Sequence, residues 1–299
     1  MTDRGDIGIA AATPQSSPAT RTKPSAWQCG RFDLPLGEPL VMGILNVTPD
    51  SFSDGGRFDD PAAAVAHAER IIADGAAILD VGGESTRPGA APVPVAAELS
   101  RVRPVVMRFG AESVPVSIDT RHAEVAAGCV EAGASIINDV SGFRSRDMVD
   151  VARGCEAGLI VMHMLGDPQT MQVEPHYDDV VREVGGHLLA QATMLEAAGV
   201  ARERIAIDPG IGFGKTIEHN LELLRRLPEL AALGYPLVVG VSRKRFIGAL
   251  TGVAAPLERL GGSLAAALYA VAAGADVVRV HDVAPTVQAL SMQRALTAE

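Results

Sequence analysis

Apolar and polar positions fall in blocks along the chain, and one block recurs. ADGAAILDVG (73–82), EAGASIINDV (131–140) and AAGADVVRVH (272–281) share a plan. A helix end meets Gly-Ala, a short apolar run follows, and polar residues close it. Gly75, Gly133 and Gly274 suit the left-handed position that ends a helix. The runs are apolar on both faces, as parallel strands covered by helices are. Related runs occupy 39–45, 114–118, 158–163, 204–208 and 236–241. Helical patterns lie between them. Asp60 as N-cap with Pro61 in the first turn opens one, and Thr216 or a neighbour opens another, TIEHNLELLRRL. Eight strands alternating with helices predict an α/β fold, a (β/α)8 TIM barrel. An open doubly wound sheet would want a Gly-rich dinucleotide turn after an early strand, and the sequence has none. Residues 1 to about 26 are rich in Pro, Ser and Thr without periodicity, which predicts a disordered tail before one barrel domain over 27–299.

Composition narrows the class. The 299 residues are 47% hydrophobic and 21% charged, which excludes wholesale disorder. A net charge of −10 lacks the basic balance of a nucleic-acid binder. A local cluster of cations can still act, because salt screens the overall field beyond ~8 Å. No run approaches the ~20 apolar residues of a membrane span. Cys29, Cys129 and Cys155 form neither a C-x-x-C pair nor an even framework, so a reducing, cytoplasmic setting is expected.

In such a barrel the chemistry sits at the C-terminal ends of the strands. Those ends carry Asn46, Gly82-Gly83-Glu84, Asp119, Asn138-Asp139, His163, Asp208, Ser242-Arg243-Lys244 and Arg279-Val280-His281. GIGFGKT (210–216) resembles a phosphate loop, but the required first glycine falls on Pro209. His163, His176 and His187 lack zinc-ligand spacing. In GILNVTPDSFSDGG (43–56), Asn46 offers an amide oxygen to a hard cation such as Mg²⁺, which also takes phosphate oxygens and water. In DVGGESTRPGA (80–90), Ser85, Thr86 and Arg87 can donate to an anion before Pro88-Gly89 turns the chain. A plain solvated loop is the alternative for each. Arg279 and His281, two apart, face the same way and could clamp an anion, unless Arg279 pairs with Asp282 at the surface.

These motifs, with SIDT (117–120), INDVSG (137–142), IDPGIGFGK (207–215), GVSRKRFIG (240–248) and RVHD (279–282), resemble dihydropteroate synthase from about Val41 to Val283. The resemblance implies condensation of a hydroxymethyl-dihydropterin pyrophosphate with p-aminobenzoate, giving 7,8-dihydropteroate and pyrophosphate in folate biosynthesis. It implies that Asp208 pairs with the guanidine-like pterin edge. Asp119, Asn138 and Lys244 complete the polar contacts, and Met162, Phe213 and Gly240 surround the ring. Asn46, Thr86, Arg279 and His281 would hold the pyrophosphate, with Asn46 on Mg²⁺. Phe52, Thr86, Arg87, Pro88, Lys244 and Arg245 would meet p-aminobenzoate, and Asp54 would serve loop closure. Asp119, Lys244, Arg279 and His281 would carry the catalysis, an SN1-like departure of pyrophosphate. Arg245 departs from the small polar residue that the family pattern places after Ser-Arg-Lys. Residues 256–273 are apolar nearly all round, which suits a homodimer, as the resemblance also implies, or burial within one monomer. The alternatives are a non-catalytic pterin-binding paralogue, a methyltetrahydrofolate-type methyltransferase and an aldolase-type barrel using Lys244 as a Schiff base.

Overall fold

The computed structural model describes residues 22–48, 61–85, 92–167 and 170–298. Asp60, Phe52, Asp54, Thr86, Arg87, Pro88 and residues 1–21 of the expected tail lie outside the described residues. A hairpin comes first, with β1 (Ala26–Cys29) antiparallel to β2 (Phe32–Pro35). The barrel strands follow: β3 (Leu40–Asn46), β4 (Ile78–Gly82), β5 (Val116–Asp119), β6 (Ile136–Asp139), β7 (Gly158–Met162), β8 (Ile205–Asp208), β9 (Val238–Val239) and β10 (Val277–Val280). The helices are α1 (Pro61–Ala73), α2 (Val95–Phe109), α3 (Ala123–Glu131), α4 (Arg146–Arg153), α5 (Val180–Ala197), α6 (Ile217–Arg225), α7 (Leu227–Ala231), α8 (Arg245–Thr251), α9 (Leu260–Ala272) and α10 (Val283–Thr297).

The barrel strands are parallel in the order β8-β7-β6-β5-β4-β3-β10-β9. A parallel bridge between Ile207 and Leu237 joins β8 to the approach of β9 and closes the ring. The eight expected strands are all present. The run at 236–241 forms only a two-residue strand, with the Leu237 amide given to the Asp276 carboxylate at 2.8 Å. Gly75, Gly133 and Gly274 take φ of 98°, 113° and 103°, as their place after a helix predicts. Thr216 caps α6 through a reciprocal box with His219.

Alternation along each strand divides the barrel interior into a floor and a rim. Met42, Ile78, Ile136, Ile160, Ala206, Val238 and Val277 form one buried cluster with Trp27, Cys29 and Leu34 of the hairpin. Two residues further along the same strands come Ile44, Asp80, Asn138, Met162, Asp208, Gly240 and Arg279. A period of two turns these to the same face as the floor, one layer higher. The opposite faces, including Val41, Leu79, Val81, Ile137, Leu159, Val161, Ile205 and Ile207, pack under the helices.

The N-terminal hairpin corrects the expectation of a tail running to residue 26. Lys23 pairs with Asp276 at 2.7 Å, so order begins before the hairpin. Trp27 is fully buried and its indole N–H donates to the Arg204 carbonyl at 2.9 Å. A Cβ on Gly158 would stand 2.5 Å from the Cys29 sulfur, so β7 must begin with glycine for the hairpin to seat. Two four-residue strands give too short a pattern to read in isolation. Their role comes from closing the bottom of the barrel.

Trp27→Ala should therefore cost about 3–5 kcal/mol by opening a cavity under the floor. In a domain of this size that lowers the melting temperature by roughly 10 °C, measurable by circular dichroism. A shift within about 2 °C would show that the hairpin is not part of the core.

Candidate active site

The strand register sets the rim. Asn46 stands beside Gly82, Gly82 beside Asp119, and Asp119 beside Asn138. Met162 stands beside Asp208. A cleft opens over this layer, lined by Asp119, Asn138, Val140, Met162, Asp208, Gly210, Ile211, Phe213, Gly240, Lys244 and Arg279. All seven residues that the resemblance gives to a pterin are in that wall.

Arg279 organises the polar half. Its Nε donates to Asp80 and its Nη2 to Asp119, both at 2.6 Å. Asp80 is fully buried and also lies 3.5 Å from the Asn138 amide. Burial works against the Arg279 charge, but Asp80 and Asp119 outweigh it and hold the guanidinium well above its ordinary range. Burial pushes the Asp119 carboxyl up, to about 7, against the pull of Arg279. The 2.6 Å contact favours the ion pair once the pH exceeds that value. The second Asp119 oxygen, Oδ1, is buried without a partner. Asp80 was legible only as part of DVGG. Its inward direction follows from sharing a face with Ile78.

Asp208 sits on the other side. Its Oδ1 accepts from the Gly210 amide at 2.7 Å, and burial raises its pKa. The segment after it explains the near-match to a phosphate loop. A Cβ on Gly210 would fall 1.9 Å from the His163 carbonyl oxygen, and Gly210 has φ 65°. The glycines there serve a tight turn that presents Phe213. Lys215 anchors it from behind, donating to the Phe213 carbonyl at 2.9 Å, with His163 Nδ1 3.0 Å away. Burial lowers Lys215 to about 7. Burial, with Lys215 adjacent, keeps the His163 ring neutral, so Nδ1 accepts from the lysine. The sequence gives neither role away: His163 directly follows β7, but Lys215 lies at the far end of the loop between β8 and α6. Lys244 lies over the Phe213 ring, 4.1 Å from its centroid. Burial and Arg279 lower its pKa to about 8.

Gly82 leaves a gap between Asn46 and Asp119. A Cβ there would stand 3.8 Å from the Asn46 Oδ1 and 3.6 Å from the Asp119 Cβ. At Gly240 a Cβ would meet only the Arg279 side chain, at 3.8 Å. No protein clash requires that glycine; a side chain there would narrow the cleft itself. His281 is placed by Ser242, whose hydroxyl oxygen takes its amide at 3.2 Å and lies 3.1 Å from its Nδ1. Asp282 does not pair with Arg279. It takes Arg243, at 3.0 and 2.5 Å, and Arg243 adopts φ 59° to reach it. Arg245 is exposed at the start of α8.

Comparison with known proteins agrees with this geometry. Residues 42–281 match the family described as pterin binding enzyme. Dihydropteroate synthase of Neisseria meningitidis serogroup C is 50% identical over 274 residues, covering 90% of this chain and 97% of that protein. Dihydropteroate synthase of Escherichia coli K12 is 49% identical over 263 residues, covering 88% and 93%. Among solved structures, Xanthomonas albilineans dihydropteroate synthase with 4-aminobenzoic acid superposes with a TM-score of 0.87 at 48% identity, covering 92% of this chain and 99% of the other. Burkholderia cenocepacia dihydropteroate synthase complexed with 7,8-dihydropteroate gives 0.85 at 51% identity, covering 92% and 97%. With the rim residues, the barrel and the full-length match in agreement, the chain belongs to the dihydropteroate synthase family of pterin-binding enzymes.

Proposed function

We propose that this enzyme condenses 6-hydroxymethyl-7,8-dihydropterin pyrophosphate with p-aminobenzoate, releasing pyrophosphate and 7,8-dihydropteroate. The observation that carries the reading is one cleft whose wall combines Asp208, Asn138 and Asp119 with Lys244 and Arg279.

Asp208 has one oxygen tied to Gly210, which fixes its rotamer and leaves Oδ2 and the free lone pair of Oδ1 for the N–H edge of the pterin. Carboxylates pair with such edges by two parallel hydrogen bonds. Asn138 and Lys244 take further ring polar atoms, and Met162 and Phe213 cover the ring faces. Arg279, turned inward onto Asp80 and Asp119, is the nearest fixed cation for a diphosphate. An arriving diphosphate oxygen competes with Asp119 for the Nη2 of Arg279. As Arg279 shifts to the anion, Asp119 is left to face the methylene carbon. The C–O bond breaks with its electron pair leaving on the diphosphate, and Asp119 stabilises the resulting cation. The arylamine nitrogen then forms the new C–N bond and loses its proton to water. His281 extends the anion contacts, and Arg245, exposed beside Lys244, is assigned to the p-aminobenzoate carboxylate.

Mg²⁺ fits as a cofactor carried with the substrate. Asn46 supplies one neutral oxygen across the gap left by Gly82, which suits an ion that keeps its waters and takes phosphate oxygens. When bound it would neutralise charge on the leaving diphosphate. We also propose a homodimer, with a second copy covering the exposed Leu250, Leu257 and Tyr269 around α8 and α9. Only part of α9 is buried within the monomer, chiefly Ser263, Ala267 and Ala270. The three thiols form no disulfide, which suits a reducing cytoplasm.

Pyrophosphate release should require p-aminobenzoate and Mg²⁺, in a phosphate-coupled assay with both substrates. Pterin binding without any release would instead indicate a non-catalytic paralogue. Asp208→Ala should weaken pterin binding about 100-fold by titration calorimetry, the scale of a lost charge-assisted pair. Arg279→Met should lower kcat by roughly 10²–10³. The profile of kcat/KM against pH should fall below about 7 as Asp119 takes up a proton, and above about 8 as Lys244 loses one. Asp119→Asn should remove the acidic limb; a limb that persists would assign it elsewhere.

A further inference from the structure

At the same end of the barrel, beyond the residues that line the cleft, three side chains converge that the reaction does not use. Glu84 follows the end of β4, Glu98 lies in the first turn of α2, and His122 directly precedes α3. We infer that Glu84, Glu98 and His122 form a site for a first-row transition-metal ion of the zinc class, separate from the reaction centre.

The distances suit a shared ion and are too long for direct hydrogen bonds. His122 Nε2 lies 3.6 Å from Glu84 Oε2 and 3.8 Å from Glu98 Oε2. Both exceed a hydrogen bond, whose N···O length is about 2.7–3.2 Å. A tetrahedral ion with ligand bonds of about 2.0–2.2 Å sets its ligand atoms roughly 3.4 Å apart. All three ligand atoms lie within 4.8 Å of one another.

The second observation is unsatisfied polarity. Glu98 is completely buried, and neither of its carboxylate oxygens has a hydrogen-bond partner. The His122 Nε2 is likewise buried and unpaired. A buried carboxylate without a partner carries a heavy desolvation cost, and a cation between it and the imidazole would relieve both.

The surroundings are built to orient ligands. Arg121 holds Glu84 in a fork at 2.9 and 3.0 Å, and the Val93 amide donates to Glu84 Oε1 at 3.0 Å. The His122 amide donates to the Thr120 hydroxyl oxygen at 3.1 Å, which fixes the start of α3. Such outer contacts position metal ligands. One imidazole with two carboxylates, and room for water in a fourth place, favours zinc-class ions over Mg²⁺, which prefers oxygen ligands in an octahedron. The ion would join the exit of β4 to the starts of α2 and α3, so its effect is on stability.

The test uses the full chain, freed of metal by chelation and titrated with Zn²⁺ in a calorimeter. One ion should bind per chain, and a hundredfold excess over Kd should raise the melting temperature by about 5–10 °C. Mg²⁺ at the same concentration should not. Co²⁺ in place of Zn²⁺ should give the visible absorption of a tetrahedral site. His122→Lys keeps a cation beside Glu98 but gives no ligand at neutral pH, and Glu98→Gln keeps the shape. Each should weaken Zn²⁺ at least tenfold and remove the thermal shift and the Co²⁺ absorption. If Glu98→Gln fails to fold, His122→Lys decides alone. Absence of saturable Zn²⁺ binding by the unsubstituted chain, or tight binding retained in His122→Lys, would overturn the site.

Discussion

The rim depends on one buried guanidinium. Arg279 holds Asp80 and Asp119, carboxylates two and three strands away around the barrel, by two 2.6 Å contacts. Removing one partner of such a buried pair typically costs about 3–5 kcal/mol. The contact thus ties β10 to β4 and β5 across the barrel mouth. It also leaves Asp119 with an unpaired oxygen facing the cleft. A group strained in this way is poised to trade partners, and an anionic leaving group is what such a trade suits. The same contact serves the closed ring and prepares the site.

Around that centre the barrel separates stability from chemistry by depth. The floor is apolar and sealed by Trp27 and the hairpin. The rim, one layer up on the same strand faces, is polar or glycine apart from Ile44 and Met162. Asp208 and Lys215 on the far side repeat the pattern on a smaller scale. Lys215 supports the turn that presents Phe213 while Asp208 stays free for ligand. An acidic protein can hold an anionic substrate because these cations are fixed, buried and closer than the screening length.

Both functional claims rest on unsatisfied groups, but of different kinds. At the cleft, Asp119 is half satisfied by Arg279 and offers its remaining oxygen to a substrate. Beside β4 and α3, Glu98 is completely buried and has no hydrogen-bond partner for either oxygen. A small ion fits the second place and a flat heterocycle the first.

The sequence alone determined the barrel, because a repeated Gly-Ala-strand unit has a period that only alternating helices and parallel strands satisfy. It also determined most of the cleft wall, since acids and amides abutting apolar runs are costly unless they face a site. Its motifs carried the family. What it could not determine were pairings between residues far apart in the chain. Arg279 with Asp80, Arg243 with Asp282 in place of Arg279, and Lys215 with His163 each depend on how strand registers align around the ring. The hairpin under the floor was hidden for the same reason: Trp27 and Cys29 look like scattered apolar residues until the barrel bottom gives them something to seal. Local pattern fixes which face a residue takes; only closure of the ring decides what stands opposite it.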